Sequence, residues 1–434
     1  MRYRIRDIPN LLRSPLGRRQ LRSSIHQFLW PILSFAATLY RRTIIRRTRI
    51  VAVVGSFGKT TTTRALLASI DCPSFTRSGS NARSSLANAL MRIRPWHRHA
   101  VIEVGIEKRG EMTAYAKMIR PDITVVTSVG SEHNTSLGSL EDTRNEKAEM
   151  VRILPRSGLA VLNGDDPNVL WMQSQTQARV ITFGFGESNA VRASNVSLAE
   201  WPSATCFTLH ANGATREIRM RLIGTPMVYP VLASLAVACA EGRELDKILP
   251  ILQGLTPTPG RLEPFPLPSG AIVLRDDYKS ALETIEAALD VLAQIPAKRR
   301  IVVMGQVTEP PGEQGPIYRH LGERIGRIAS RAIFLCDRRD SACSAGAAAV
   351  GMPRSAIAKV GRDLFKAIDL LRDDLGPGDV VLVKGRITER LDRITLALAG
   401  RSVGCRVGFC KTRVVQCAAC PMLERGWQHA RPLS

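Results

Sequence analysis

The fold turns on "RIVAVVGSFGKTTTTRALLASI", Arg49 to Ile70. "RIVAVVG" is a short apolar run rich in β-branched residues, the composition of a parallel strand covered on both faces. "TTTRALLASI" continues with apolar residues at helical spacing. Between the two stand Gly55, Ser56, Gly58, Lys59, Thr60 and Thr61, in the order G-x-x-G-K-T. The common phosphate-loop spacing, G-x-x-x-x-G-K-[ST], is two residues longer. A strand, a glycine turn and a helix N-terminus still present backbone N–H groups to an anion.

Further strands are read in "HAVIEVG" (99–105), "DITVVTSVG" (122–130) and "SGLAVLNGDD" (157–166), with helical stretches between them. This alternation predicts an α/β fold: a doubly wound parallel sheet with ligands at the carboxyl ends of its strands. The texture changes over 180–222, where "RVITFGF", "NAVRASNVSL", "ATCFTLHA" and "REIRMRLIG" read as short antiparallel strands. "VYPVLASLAVACAEG" is a helix, and "GLTPTPGRLEPFPLPSG" (254–270), rich in Pro and Gly, reads as a linker. A second alternating unit follows, with strands at 271–276, 300–305, 332–336 and 379–385 and helices at 281–294, 316–329 and 361–375. The expected domains are a basic N-terminal segment (1–48), a central phosphate-loop domain (49–255), a C-terminal Rossmann-like α/β domain (256–400) and a cysteine-containing basic tail (401–434).

At 434 residues, 44% of them hydrophobic and 23% charged, the chain belongs with folded multi-domain proteins and not with disordered ones. The formal charge of +23 is unevenly placed. Residues 1–49 hold twelve arginines and Asp7, and residues 401–434 hold six basic residues and Glu424. Only +7 is left for the 351 residues between them, so the excess sits in two ends and not in a central cleft. Cationic ends favour anionic lipid or nucleic acid. Their sparse aromatics (Trp30, Tyr40 and Trp427) do not suit a dedicated single-strand surface.

"FLWPILSFAATLY", Phe28 to Tyr40, is too short to span about 30 Å of hydrocarbon, and no small-residue cleavage site follows it. Two readings stand for it: a helix at an anionic membrane surface, or a helix packing its apolar side on the body. Nine cysteines without a secretory signal suggest a reducing, cytoplasmic setting, with a peripheral position at the inner membrane face as the variant.

Further stretches add to the loop. They are "VIEVG", "TSVGSEHNTSLGSLEDTRNEKAEM", "NGDDP" (163–167), "PGRLE", "DDYKSALETIEAALDVL", "VVMGQVTEP", "HLGERIG" and "DVVLVKGR". In this order, over roughly residues 50–398, the chain resembles the Mur ligases, whose phosphate loop has the shortened form seen here. The resemblance implies an ATP- and magnesium-dependent ligase that forms an amide between a peptide carboxylate and an amino-acid or dipeptide amine. It further implies a cell-wall-precursor-like or related acceptor. It places Glu103 near a magnesium ion, and His133 and Lys147 at the positions where the family has a metal-site histidine and, fourteen residues on, a carbamylated lysine. Asn163 matches the turn closing the central sheet, Arg261 the arginine that reaches the nucleotide, and Asp276 the ribose contact.

The residue types suit that chemistry. Activating a carboxylate at neutral pH needs a leaving group, which phosphorylation supplies, and phosphoryl transfer rests mainly on charge neutralisation. Lys59 offers a positive charge to the β- and γ-phosphates, and Thr60 a hydroxyl to magnesium. Glu103 and His133 can hold a second ion. A carbamylated Lys147 turns a cation into an anionic ligand.

Departures from the family pattern are Phe57 in the loop, Ser128 for an asparagine, and Lys279 and Ala281 for both asparagines of the D-S-Y-N-A-N-P segment. Only 48 arginine-rich residues precede the first strand, where the family carries the domain that grips a UDP-sugar. Two other functional readings therefore stay open: a nucleotide-binding partner protein without ligase activity, and a ligase for an acceptor outside the cell wall. In the tail, Cys405, Cys410, Cys417 and Cys420 admit a structural zinc site, unpaired thiols or a redox pair.

Overall fold

The computed structural model describes residues 28–75, 83–131, 134–410, 416–420 and 422–426. Their contacts divide the chain into two units, residues 1–196, 207–220 and 226–255 in the first, and 197–206, 221–225 and 256–434 in the second.

The first unit is built on an eight-stranded sheet in the order β2-β1-β3-β4-β5-β6-β7-β8. β1 (Arg49–Val54), β2 (His99–Glu103), β3 (Ile123–Val126) and β4 (Leu159–Asn163) are buried almost throughout and pair in parallel. Covered on both faces, they have no reason to alternate apolar with polar. After β1 the chain moves to β2 on one side, then returns to β3 on the other. The reversal makes the carboxyl edge between β1 and β3 a topological switch point, where doubly wound sheets bind ligands. The helix Lys59–Ser69 leaves β1 there and packs on Val228–Ala240, a helix apolar on all sides and accordingly buried.

The 180–222 region departs from expectation. β5 (Arg179–Gly184) extends the parallel sheet beside β4, and β6 (Val191–Ser197) pairs in parallel with the end of β5. The antiparallel reading holds for β7 (Thr205–Ala211) and β8 (Ala214–Met220). Their two-residue Asn212-Gly213 turn has φ of 52° and 75°, the type I′ geometry that joins antiparallel strands.

The second unit has a six-stranded sheet, β13-β12-β11-β14-β10-β9. β10 (Ile272–Asp276), β11 (Arg299–Met304), β12 (Arg331–Phe334), β13 (Ile357–Lys359) and β14 (Asp379–Lys384) run parallel. Part of the expected linker is ordered: Glu263–Pro266 forms β9, antiparallel to β10 at the sheet edge. Pro264 and Pro266 tolerate that place because an edge strand need not donate along its outer side. A helix unread in the sequence, Asp340–Ala349, packs on Gln314–Ile328 through glycines. A Cβ on Gly322 would meet the Cys343 carbonyl, and one on Gly346 the Arg319 carbonyl, each at 2.0 Å. Contacts made of small residues leave no large apolar period to read.

The helix Trp30–Thr43 settles one of the two readings of the N-terminal segment in part: one face packs on the first unit, the other faces solvent. No helix among the described residues is long and apolar enough to cross a membrane.

Candidate active site

Gly55 has φ +148°, and a Cβ there would lie 2.0 Å from Thr127 Oγ1. Gly58 takes φ +84° at the start of the Lys59–Ser69 helix. Both positions demand glycine, one for space and one for backbone conformation. The turn is then clamped from the end of β3. Ser56 Oγ accepts from Gly130 N at 2.9 Å, and Thr127 Oγ1 donates to the Phe57 carbonyl at 2.6 Å. Ser128 Oγ accepts from Phe57 N at 3.0 Å and donates to the Phe57 carbonyl at 3.1 Å. The Phe57 and Ser128 departures thus meet in one contact, and serine holds the loop through backbone groups that any residue at 57 supplies.

Lys59 is 8% exposed, and its Nζ donates to the carbonyls of Gly55 (2.7 Å) and Ser56 (2.9 Å). The register Val53↔Glu103 sets the Glu103 carboxylate one strand over from the loop, and Thr60 Oγ1 donates to it at 3.2 Å. Lys147, on the helix Leu140–Arg152, is buried. Burial drives its pKa well below the ordinary lysine value and the charge of Lys59 pushes it further down, against a smaller opposing pull from Glu146. Asn163 closes the edge by donating to the Thr127 carbonyl at 3.0 Å. Lys59, Thr60, Glu103, Lys147 and Asn163 thus converge on the carboxyl ends of β1 to β4. His133 lies outside the described residues.

Arg261 and Asp276 belong to the second unit. The Arg261 guanidinium lies 4.5 Å over the Tyr278 ring. Asp276 accepts from Leu262 N at 3.2 Å and from Lys384 Nζ at 2.5 Å. Lys384 was missed in the sequence, where it ends an apolar strand and looks like a surface lysine. It is 1% exposed, its pKa is lowered by burial against the pull of Asp276, and it also donates to the Lys279 carbonyl at 2.7 Å. Because the backbone of residue 279 makes that contact, the change of side chain there does not remove it.

A cavity of about 530 Å³ opens beyond the carboxyl ends of β11, β12 and β14, lined among others by Arg362, Arg386, Arg406, Phe365 and Phe409. Arg386 stacks 5.3 Å from Phe409 and Arg406 4.7 Å from Phe365. The tail reaches this cavity because buried Arg393 donates to the carbonyls of Cys405 (2.6 Å) and Val407 (2.8 Å). Zinc is not supported. Among the described residues no group of three or more His, Cys, Asp and Glu side chains is placed to hold a metal ion. Cys417 instead packs with Leu396 and Leu423, where burial raises its thiol pKa.

The comparisons agree with this geometry. The Mur ligase middle domain matches residues 53–238, and the Mur ligase glutamate ligase domain matches residues 260–387. A UDP-N-acetylmuramoyl-tripeptide–D-alanyl-D-alanine ligase of Mycobacterium bovis is 31% identical over 377 residues, which cover 80% of this chain and 72% of that one. The crystal structure of MurF from Acinetobacter baumannii superposes with a TM-score of 0.76 at 21% identity, covering 86% of this chain and 81% of that one. The MurF ligase of Thermotoga maritima in complex with ADP gives 0.75 at 20%, covering 86% and 83%. At such identities the two structures speak for the fold. The chain belongs to the Mur ligase family of ATP-dependent carbon–nitrogen ligases.

Proposed function

We propose that this protein joins D-alanyl-D-alanine to the peptide carboxylate of a UDP-linked muramoyl tripeptide in the cytoplasm, driven by ATP. The convergence of Lys59, Thr60, Glu103 and Lys147 at the switch point carries the reading. ATP enters with its phosphates on the turn, and Lys59 Nζ exchanges the two loop carbonyls for phosphate oxygens. The acceptor carboxylate attacks the γ-phosphorus, the bond to the β-γ bridging oxygen breaks, and ADP leaves. The dipeptide amine then attacks the acyl-phosphate carbon, the C–O bond to phosphate breaks, the nitrogen gives up one proton to the departing phosphate, and the amide is left. Holding the reactants side by side supplies much of the rate.

Thr60 Oγ1 and the Glu103 carboxylate are hard oxygen donors and fit magnesium. In this reading His133 and a carbamylated Lys147 complete the set, and the ion neutralises phosphate charge when bound. Lys147 is suited to carbamylation: only an unprotonated amine attacks CO2, and burial beside Lys59 favours that form. Its Nζ forms a bond to the CO2 carbon and sheds one proton, leaving an anion. In the second unit, Asp276 and Arg261 take the ribose and nucleotide contacts. The arginine-lined cavity suits the free carboxylate of the incoming dipeptide.

The test is incubation with ATP, magnesium, the UDP-linked tripeptide and D-alanyl-D-alanine, reading ADP release and the condensed mass. ATP binding without product from any acceptor would return the protein to the partner-protein reading. Product from other acceptors alone would reassign the substrate.

A further inference from the structure

One face of the helix Trp30–Thr43 is committed to the first unit. Trp30 meets Tyr115 edge-on at 5.8 Å, Tyr40 Oη donates to the Ile93 carbonyl at 2.7 Å, and Arg41 donates to the Ile119 carbonyl at 3.1 Å and Asp122 at 2.9 Å. The opposite face is not covered among the described residues. Phe28, Ile32, Phe35 and Leu39 remain 85%, 67%, 72% and 53% exposed. Steps of four, three and four residues put them in a single stripe; the next step on it is Arg42, and Arg46 follows just past the helix end, both exposed. Single exposed apolar residues need no account, but a contiguous row of four with a charged end does.

A second exposed aromatic lies nearby. The Tyr40–Ile93 bond fastens the end of this helix beside residue 93, and three residues on stands Trp96, 77% exposed, between exposed Arg94 and Arg98. Residues 28–49 and 83–98 together hold nine arginines and no acid; Arg41 and Arg49 pair with Asp122 and Glu241, while Arg42, Arg46, Arg47, Arg92, Arg94 and Arg98 are exposed.

We propose that this face docks on an anionic lipid bilayer, the stripe entering the headgroup region and the arginines meeting lipid phosphates. The helix has fourteen residues, about 21 Å at 1.5 Å each, and cannot span the hydrocarbon, so it lies in the membrane plane. A tryptophan between arginines suits the water–lipid boundary. Charge selects the occupant. A second copy would set one group of exposed arginines against another, whereas anionic headgroups turn the same charge into attraction. Residues 1–27, with seven arginines and one acid, add to that attraction. The inference uses residues the proposed reaction does not, so either can fail without the other.

The test is flotation of the full chain with vesicles of phosphatidylcholine alone and of an equimolar phosphatidylcholine–phosphatidylglycerol mixture. Binding is expected to the anionic vesicles only. The double variant Ile32→Ser, Phe35→Ser should partition about tenfold less or worse, with its melting temperature and ATP turnover in solution unchanged. Arg42→Glu should weaken binding and flatten its salt dependence. Four results would overturn the proposal. The first is no binding to anionic vesicles. The second is equal binding by the double variant, which would leave the charge of the chain ends as the sole cause. The third is a wild-type dimer that the double variant dissociates, making a second copy the occupant. The last is a lower melting temperature in the double variant together with no vesicle binding by wild type, making residues 1–27 the cover.

Discussion

Lys59 and Lys147 are two buried amines, and the charge of the first pushes the pKa of the second further down, an arrangement that costs stability unless anions join them. Removing the first should disable phosphoryl transfer: Lys59→Ala is expected to lower kcat by about 100-fold or more in the ADP-release assay. Lys147→Arg keeps a cation and cannot form a carbamate, so a loss of similar size is expected, with the fold retained by circular dichroism. The pH dependence has a definite sign. Folding strips a proton from Lys147 because its folded pKa is lowered, so stability rises with pH up to the ordinary lysine value and is lost as pH falls. Carbamate occupancy follows the unprotonated amine and should therefore rise with pH, starting well below the ordinary lysine range, read by NMR with labelled CO2. In Lys147→Met the pH slope of stability in denaturant unfolding should be shallower.

The helix Leu140–Arg152 carries Lys147 into place and starts with a capping box, in which Ser139 Oγ accepts from Asp142 N at 3.0 Å and Asp142 accepts from Ser139 N at 3.0 Å. Ser139→Ala should cost about 1 kcal/mol in urea unfolding. Because the cap lies two turns from Lys147, activity per folded molecule should change little. The tail behaves as part of the second unit, since Arg393 holds its backbone and Arg406 reaches the arginine-lined cavity. Arg406→Ala is expected to raise KM for the dipeptide about tenfold with a smaller effect on kcat, checked by steady-state kinetics with ATP saturating.

For the whole molecule, the expected consequence of a nucleotide site is linkage. ATP or ADP binds the folded chain alone, so a hundredfold excess over Kd should add about 2.7 kcal/mol of stability and raise Tm in a thermal melt. The same melt with Lys59→Ala should show a reduced shift, which separates binding at the turn from binding elsewhere.

Parallel strands buried on both faces, helices between them and a glycine turn before Lys59 are local patterns, so the sequence alone determined both α/β units, the glycine turn between the first strand and its helix, and the family. What it could not carry are facts made by residues distant in the chain. Ser128 acting as the clamp on residue 57 depends on the β1–β3 register, and Lys384 as the partner of Asp276 on β14 inserting beside β10. The four tail cysteines left a metal site open by spacing, yet Cys405 is held by Arg393 and Cys417 sits in a small apolar cluster. In the first strands burial is uniform and composition reports it. At the site, burial and charge are set by side chains arriving from several strands, and only the folded chain brings these together.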